Sequence, residues 1–349
     1  MKQSSNKAIG KLVLFGSGET SPAGRKIHRK VFQSLPSKQT IAILETPAGF
    51  QPNSHLVAQD IADMFQKSFT EFVADVSIIP ARKKGTKFSP DNKQLLNPLQ
   101  KASYIFLGPG SPTYALHQLN GSKALVDIVA AWKRGATLVL SSAAAIAFGQ
   151  QTLPVYEIYK AGEDLHWKEG LSVLAEVGLP FTVVTHWNNT EGGKDLDTRF
   201  CYMGEDRFNK LLQLLPKESS VLGIDEHTAI IFDFAKDIFS IEGVGSVTLL
   251  KDKKQCIFPE GSYALQSLST FSVIPIAFEK STFQKPKETK KRDAIPATTL
   301  SKELQELLAE REKARKWGDF EESDRIRKIF LKKGYNIEDT EDGQEMYRE

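Results

Sequence analysis

The first 145 residues alternate short apolar runs with segments whose apolar side chains recur at helical spacing. Helical spacing is clearest at residues 53–69 and 124–134. This alternation predicts an α/β fold with a doubly wound, mostly parallel sheet. Ligands of such sheets bind beyond the carboxyl ends of the strands, so the loops that follow the strands are the first place to look for chemistry. Five apolar runs predict buried strands, at residues 9–15, 41–44, 73–79, 104–107 and 137–140.

The pattern changes after residue 179. An apolar run at residues 181–185 predicts a strand that ends at His186, and a helix is predicted at 207–215. Short apolar stretches separated by turn residues then predict a β meander that closes this part of the chain. These stretches lie at residues 221–226, 229–233, 238–242 and 246–250.

The pattern divides the chain into three parts. Residues 284–293 carry five basic and two acidic residues with one proline, which indicates a solvated linker. Helical periodicity resumes at Leu300, a second helix is predicted from Asp319, and Gly334 ends it. We therefore predict a large domain at 1–280, a linker at 281–299 and a small helical hairpin at 300–349. Two short helices bury little core, so this hairpin is expected to pack on the main domain or on a partner.

Composition excludes several classes of function. The chain has 349 residues and a net charge of +3, which gives no electrostatic argument for nucleic acid or an anionic membrane. No apolar run reaches the roughly 20 residues that a membrane helix needs. The two cysteines, Cys201 and Cys256, form neither a disulfide framework nor a metal cluster, so a reducing cytoplasm is expected. No H-E-x-x-H or C-x-x-C motif is present, and we predict no metal and no cofactor.

Ser142 lies where a strand turns into a helix. The apolar strand at 137–140 is followed by the helical run 143–148, so the serine oxygen would be exposed at the sheet edge beside the amides of a helix N-terminus. The usual nucleophile elbow is G-x-S-x-G, whereas here Leu140 and Ala144 occupy the glycine positions. The turn alone therefore leaves two roles open for Ser142, a nucleophile or a helix cap.

Other residues could complete a hydrolytic site. His186 and His227 each lie beside a predicted strand and could act as a base or be structural. Asp225 and Glu226 precede a strand, where a carboxylate either orients a histidine or is solvated. The glycine-proline loop at 108–112 follows a strand, and the amides of its Gly110 and Ser111 could hold an oxyanion. The loop lacks a Walker lysine, so it does not indicate nucleotide binding.

Several of these segments resemble the cyanophycinases and aspartyl dipeptidases, which are serine peptidases on a class I glutamine amidotransferase-like fold. The segments 141–145, 223–229 and 243–248 carry the resemblance, which covers roughly residues 9–275. The most specific match is G-I-D-E-H-T-A at 223–229. The resemblance implies a triad of Ser142, His186 and Glu226, with backbone amides of Gly110 and Ala143 as the oxyanion hole.

The departures from that family bear on the substrate. The arginine-rich loop of the cyanophycinases is not reproduced, which argues against cyanophycin as substrate. We expect a small peptide or other amide substrate, with Arg199 gripping a carboxylate and Asn188 and Ser111 as further substrate-binding residues. The missing elbow glycines leave a second hypothesis open, a non-catalytic relative that binds a ligand in the same cleft. Glutamine amidotransferase chemistry is disfavoured because neither cysteine lies on such a turn.

The C-terminal segment carries a second resemblance, to the extreme C-terminus of cysteinyl-tRNA synthetases. Residues 315–343 are similar to the pattern A-R-x-x-K-D-F-x-x-A-D-x-I-R, a glycine, then E-D-T-x-x-G. Residues 301–349 contain 11 basic and 14 acidic residues, a net charge of −3, so the isolated segment would bind RNA poorly. The synthetase catalytic motifs are absent. The sequence leaves four roles open for residues 300–349: packing on the main domain, homo-oligomerisation, contact with tRNA, or contact with a protein.

Overall fold

The computed structural model describes residues 9–251, 254–273, 295–296, 299–316, 320–340 and 343–348. The chain divides into two compact units, Met1–Ala277 and Phe278–Glu349. Most of the predicted linker at 281–299, including its charged run, lies outside the described residues. In the described part of the chain, no helix combines the length and apolarity needed to cross a membrane.

The first unit is built from fourteen described strands. They are β1 (Leu12–Phe15), β2 (Gln39–Leu44), β3 (Val73–Ile79), β4 (Tyr104–Leu107), β5 (Thr137–Ser141), β6 (Gln151–Thr152), β7 (Lys168–Glu169), β8 (Phe181–Val184), β9 (Ser220–Ile224), β10 (Thr228–Asp233), β11 (Ile238–Gly243), β12 (Val247–Lys251), β13 (Lys254–Phe258) and β14 (Gly261–Ala264).

Helices connect most of these strands. They are α1 (Pro22–Gln33), α2 (Ser54–Ser68), α3 (Pro112–Leu119), α4 (Lys123–Lys133), α5 (Ala143–Phe148), α6 (Val155–Tyr159), α7 (Gly204–Leu214) and α8 (Ser267–Thr270), with short 3-10 helices at Thr46–Ala48, Asn97–Gln100 and Val173–Val177.

An eight-stranded sheet forms the centre of the first unit. Its order is β14-β11-β10-β1-β5-β4-β2-β3, and the pairs from β1 to β3 are parallel. Strands β1, β4 and β5 are completely buried because apolar clusters cover both faces of the sheet. The predicted α/β fold with a mostly parallel sheet is confirmed, and the carboxyl ends of β1, β4 and β5 lie side by side.

The strands predicted as a β meander belong to two sheets. Strands β10, β11 and β14 extend the central sheet in antiparallel fashion, whereas β9 pairs with β12 and with β8 in a second sheet of order β13-β12-β9-β8. The chain therefore crosses from the second sheet to the central sheet between β9 and β10. Glu226 lies in that crossing, and His186 follows β8 shortly after its end.

The second unit contains more strand than its sequence pattern predicted. Helices α9 (Lys302–Lys316) and α10 (Phe320–Lys332) are followed by a hairpin of β15 (Tyr335–Thr340) and β16 (Gly343–Arg348). Gly334, at φ +80°, ends α10 as predicted, while Asp319 lies outside the described residues. The hairpin contributes Ile337 and Met346 to the core of this unit, so the two helices do not bury their apolar faces alone.

Candidate active site

Ser142 occupies a strained turn between β5 and α5. Its backbone has φ 48° and ψ −112°, a conformation that non-glycine residues rarely adopt and that is concentrated at functional sites. The turn is fixed because β5 pairs with both β1 and β4, and because the Ser142 amide donates to the Phe15 carbonyl at 3.1 Å. Although Ser142 is at the N-cap position, its side chain makes no capping hydrogen bond to α5. The hydroxyl is instead directed to a histidine.

Three side chains form a continuous hydrogen-bonded series. Ser142 Oγ lies 2.8 Å from His186 Nε2, and His186 Nδ1 lies 2.7 Å from Glu226 Oε1. A carboxylate accepts hydrogen bonds only, so the proton of the neutral imidazole is assigned to Nδ1. Nε2 is then free to accept the serine proton. This is the arrangement of nucleophile, base and orienting acid that a catalytic triad requires.

The neighbouring acid, Asp225, serves a different purpose from Glu226. Asp225 Oδ2 accepts hydrogen bonds from the amide and the hydroxyl of Ser246, which ties β9 to the start of β12. Glu226 accepts instead from His186 and from Asn189 Nδ2 at 2.9 Å. Burial acts to raise the pKa of Glu226, but the hydrogen bonds from His186 and Asn189 outweigh it and hold this pKa below its usual value. Glu226 is therefore the charged partner of the histidine.

A cleft of about 360 Å³ opens in front of Ser142. Its walls come from the loop after β1, the loop after β4, the turn at Ser142, helix α6 and the segment that precedes α7. The lining residues include Glu19, Gly110, Ala143, Tyr156, Cys201 and Tyr202, besides Ser142 and His186. In the described residues, no group of three or more His, Cys, Asp or Glu side chains is arranged to hold a metal ion.

Gly110 and Ala143, whose amides were predicted to form the oxyanion hole, both line the cleft with Ser142. Ala143 is the first residue of α5, where an amide has no acceptor within the helix. Gly110 has φ +150°, and a Cβ atom there would approach the Pro47 carbonyl oxygen to 2.0 Å, so only glycine fits. The Ser111 amide is excluded from this role because it donates to the Pro47 carbonyl at 3.0 Å.

The loop that carries Gly110 rests on a buried ion pair. Pro47 belongs to the 3-10 helix Thr46–Ala48, which follows Glu45. The buried Glu45 carboxylate accepts hydrogen bonds from Arg82 Nε at 2.5 Å and from Ser54 Oγ at 3.2 Å. Because Glu45 is fixed in this way, the nearby Pro47 carbonyl is fixed as well. This carbonyl accepts from the Ser111 amide and so holds the loop at 108–112.

Three residues predicted to bind substrate do not line the cleft. Arg199 forms ion pairs with Asp197 and Glu205, and it is about half exposed. Asn188 uses its side-chain oxygen to accept from the Glu226 amide at 2.8 Å. Ser111 caps α3 by accepting from the Tyr114 amide at 3.2 Å. Each of these side chains is engaged with a protein group in this structure, and its predicted role in binding substrate stays a prediction.

One wall of the cleft is a left-handed turn that the sequence did not indicate. Phe200, Cys201 and Tyr202 have consecutive φ values of 57°, 55° and 68°. The Tyr202 ring lies 5.9 Å from the His186 ring, and its hydroxyl donates to Glu191 Oε2 at 2.8 Å. Burial raises the pKa of the Cys201 thiol to about 12. Cys201 therefore lines the site as an uncharged thiol, which is a poor nucleophile.

His227, the other histidine considered for the site, is not among the described residues that line the cleft. It is exposed, and its Nδ1 makes only a long contact of 3.4 Å with Ser21 Oγ.

Glu19 was missed as a lining residue, although the sequence places it in the glycine loop after β1. Its partner is Ser141, whose hydroxyl donates to Glu19 Oε2 at 2.7 Å. That contact joins residues 122 positions apart and has no local sequence signal.

The first unit is similar in fold to a solved peptidase. A crystal structure of a peptidase from an acI-B1 Actinobacterium matches with a TM-score of 0.59 and 21% identity, covering 74% of this chain and 98% of that chain. A putative peptidase E protein from Listeria monocytogenes EGD-e matches with a TM-score of 0.43 and 14% identity, covering 72% of this chain and 99% of that chain. The fold that the sequence resemblance implied is therefore confirmed.

The second unit has different relatives. The family model of the cysteinyl-tRNA ligase anticodon binding domain matches residues 297–346. A cysteine–tRNA ligase from Lachnoclostridium phytofermentans is 45% identical over 56 residues, which cover 16% of this chain and 11% of that protein. The chain thus matches about a ninth of the length of this curated relative. The predicted similarity of the C-terminal segment to cysteinyl-tRNA synthetases is confirmed.

Proposed function

We propose that this chain is a serine hydrolase that cleaves a peptide, isopeptide or other amide bond. The observation that carries the proposal is the hydrogen-bonded series Ser142–His186–Glu226, with contacts of 2.8 and 2.7 Å at the edge of an open cleft. A serine hydroxyl needs a base within hydrogen-bond reach and an orienting acid behind that base, and both distances meet this requirement.

In the proposed acylation step, Ser142 Oγ attacks the carbonyl carbon of the amide while its proton moves to His186 Nε2. The charge that develops on the carbonyl oxygen is held by the amides of Gly110 and Ala143. Glu226 stabilises the imidazolium that forms. When the tetrahedral intermediate collapses, the carbon–nitrogen bond breaks and His186 returns the proton to the leaving amine, which leaves an ester on Ser142.

In the proposed deacylation step, a water molecule takes the place of the amine. His186 Nε2 accepts a proton from the water as its oxygen attacks the ester carbon. Collapse of the second tetrahedral intermediate breaks the bond to Ser142 Oγ, and His186 returns the proton to that oxygen. The products are a carboxylic acid and the free enzyme.

The alternative of a non-catalytic ligand-binding module has less support. A histidine beyond hydrogen-bond reach of the serine would favour this alternative. The distance of 2.8 Å between Ser142 Oγ and His186 Nε2 argues against it. Ser142 takes the positive φ of a nucleophile elbow although Leu140 and Ala144 replace the usual glycines. Cyanophycin stays disfavoured as substrate, since no arginine lines the cleft among the described residues.

A fluorophosphonate probe tests the proposal directly. We expect the wild-type chain to be labelled at one serine, and we expect labelling to disappear in Ser142→Ala. Ser269→Ala, at an exposed serine of α8, is the matched control and should label like the wild type. Undiminished labelling of Ser142→Ala, or no labelling of the wild type, would reject Ser142 as the nucleophile.

For the second unit we propose contact with a macromolecule, tRNA or a protein. The match of residues 297–346 to an anticodon binding domain favours tRNA, while the net charge of −3 over 301–349 favours a protein. Retention of tRNA by the full chain should be compared with a chain that ends at residue 277. Loss of tRNA retention on truncation would support tRNA contact. Equal tRNA retention by the two chains would reject tRNA contact in favour of protein contact.

A further inference from the structure

A buried carboxylate on the cleft has no role in the triad. Glu19 lies in the loop after β1, lines the cleft and is 6% exposed. Its Oε2 accepts a 2.7 Å hydrogen bond from Ser141 Oγ, and Ser141 is completely buried. Because Ser141 directly precedes Ser142, the carboxylate is fixed to the same turn as the proposed nucleophile.

Glu19 differs from the other buried acids in its partners. Glu45 is paired with Arg82, and Asp225 accepts two hydrogen bonds from Ser246. Within the described ranges, Glu19 has no cationic partner, and Ser141 is the only group that donates to its carboxylate. A carboxylate offers about four acceptor positions, so most of this capacity is left for a ligand.

The charge of Glu19 opposes the proposed chemistry unless something compensates it. The tetrahedral intermediate on Ser142 carries a negative oxyanion, and a nearby negative charge raises its energy in a cleft with little water. Lys and Arg are absent from the described lining of the cleft. A cation on the molecule that binds there would supply the compensating positive charge.

The rest of the lining is suited to a cation. Tyr156 and Tyr202 line the same cleft as Glu19, and aromatic rings attract ammonium and guanidinium groups. Arg199, the cation that could have bound a substrate carboxylate, is held outside the lining by Asp197 and Glu205. The cleft thus presents an acid and aromatic rings, and its described lining has no Lys or Arg side chain to pair with an anionic substrate.

We propose that the substrate carries a cationic amine or guanidinium group that pairs with Glu19 in the cleft. The inference rests on the proposed function, because it names the class of amide that Ser142 would cleave. Two sources share this chemistry: the α-ammonium group of an unblocked peptide and the cationic side chain of a basic residue.

Binding to the full-length Ser142→Ala chain tests the inference without turnover. Isothermal titration would compare two matched pairs of ligands, alanine amide with N-acetylalanine amide, and Nα-acetyllysine amide with Nα-acetylnorleucine amide. We expect the cationic member of at least one pair to bind about tenfold tighter than its neutral partner, as a charged hydrogen bond would give. The first pair reports an α-ammonium group, and the second reports a side-chain cation.

Substituting Glu19 assigns the preference to its carboxylate. In the Ser142→Ala background, Glu19→Gln should bring the two members of the responsive pair to equal affinity. Glu176→Gln, which removes the same charge at an exposed acid paired with Lys133, should keep the preference. Equal binding of cationic and neutral ligands to Ser142→Ala overturns the inference even if Glu19→Gln does not fold, and so does a preference that survives Glu19→Gln.

These outcomes are separate from the failure of the proposed function. A cation preference that depends on Glu19, in a chain whose Ser142 is not labelled by fluorophosphonate, would reject the hydrolase and retain the cation site. Labelling of Ser142 without a cation preference would retain the hydrolase and reject the cation site.

Discussion

Two histidines of the first unit lie in opposite surroundings. His28, on α1, is completely buried among aromatic rings, with the centroids of Phe15 and Phe65 each 5.0 Å away, and its Nδ1 lies 2.7 Å from Tyr104 Oη. His186 lines an open cleft, between a serine hydroxyl and a carboxylate. Burial lowers the pKa of His28 from 6.5 to about 3, so this ring stays neutral at ordinary pH.

The difference teaches what a histidine needs in order to do chemistry. His28 is completely buried, so it can neither take up a proton at ordinary pH nor meet a substrate. His186 has an acceptor on one nitrogen, a donor on the other and a cleft in front of it. The two residues should therefore respond oppositely to substitution, His186 in activity and His28 in stability.

The largest effect is expected from His186→Ala. Without the base, the proton of Ser142 has no acceptor, and turnover should fall by about 10⁶-fold, the loss typical of removing the nucleophile or base of a triad. Fluorophosphonate labelling and hydrolysis of a peptide amide measure the loss. His227→Ala, at the exposed histidine near Ser21, is the control and should keep activity. Activity of His186→Ala within tenfold of wild type would contradict the assignment of His186 as base.

Glu226→Gln should produce the next largest effect. The amide keeps the shape of the carboxylate but can present N–H to His186 Nδ1, which favours the wrong tautomer, and it cannot stabilise the imidazolium. We expect kcat to fall by about 10⁴-fold, with little change in KM. Asp225→Asn serves as the comparison, because Asp225 holds Ser246 rather than the histidine. A larger loss of kcat in Asp225→Asn than in Glu226→Gln would contradict the assignment of Glu226 as the orienting acid.

His28→Ala should lower stability and leave the chemistry intact. The substitution opens a cavity among aromatic rings and removes the hydrogen-bond partner of Tyr104, which together should cost about 3 kcal/mol of the free energy of unfolding. Denaturant unfolding measures this cost. His55→Ala, at an exposed position of α2, should stay within about 0.5 kcal/mol of wild type. Unchanged stability of His28→Ala would contradict a structural role for the buried ring.

The buried histidine also predicts a pH dependence of stability. The pKa of His28 is about 3 in the folded chain and 6.5 when unfolded, so the unfolded state binds one more proton between these values. The contribution of His28 is complete above pH 6.5 and falls by about 1.4 kcal/mol per pH unit as the pH drops toward 3. His28→Phe removes the titrating group, and its unfolding free energy should fall less steeply over this window. Equal slopes would contradict the lowered pKa.

The sequence predicted the site where local pattern determines structure. The strand-to-helix turn at Ser142 follows from an apolar run that ends in small residues, and the G-I-D-E segment implied Glu226 as the acid. The C-terminal hairpin β15–β16 was missed because its alternation is short and interrupted by acidic residues. The cleft wall at Tyr202 was missed because a left-handed turn of three non-glycine residues has no compositional signal.

Glu19 and Arg199 differ in how far away in the sequence their partners lie. Glu19 contacts Ser141 because β1 pairs with β5, so no residue spacing in the sequence indicates this contact. Arg199 differs, because its acidic partners Asp197 and Glu205 lie close to it in the sequence. A cation with two acidic neighbours on the same short segment is already satisfied. This competition decides whether an arginine is available to bind a ligand.

Arg199→Ala should therefore have the smallest effect of the substitutions considered. Its guanidinium holds the pKa of Asp197 well below the usual range, yet the ion pairs are exposed, and such pairs contribute about 0–1 kcal/mol. We expect kcat/KM to change by no more than about threefold on neutral and cationic substrates alike, which corresponds to roughly 0.7 kcal/mol. A substrate with a carboxylate should show no added loss, because Arg199 does not line the cleft. A selective loss on acidic substrates would return Arg199 to the substrate site and would mean that the turn at residues 200–202 rearranges on binding.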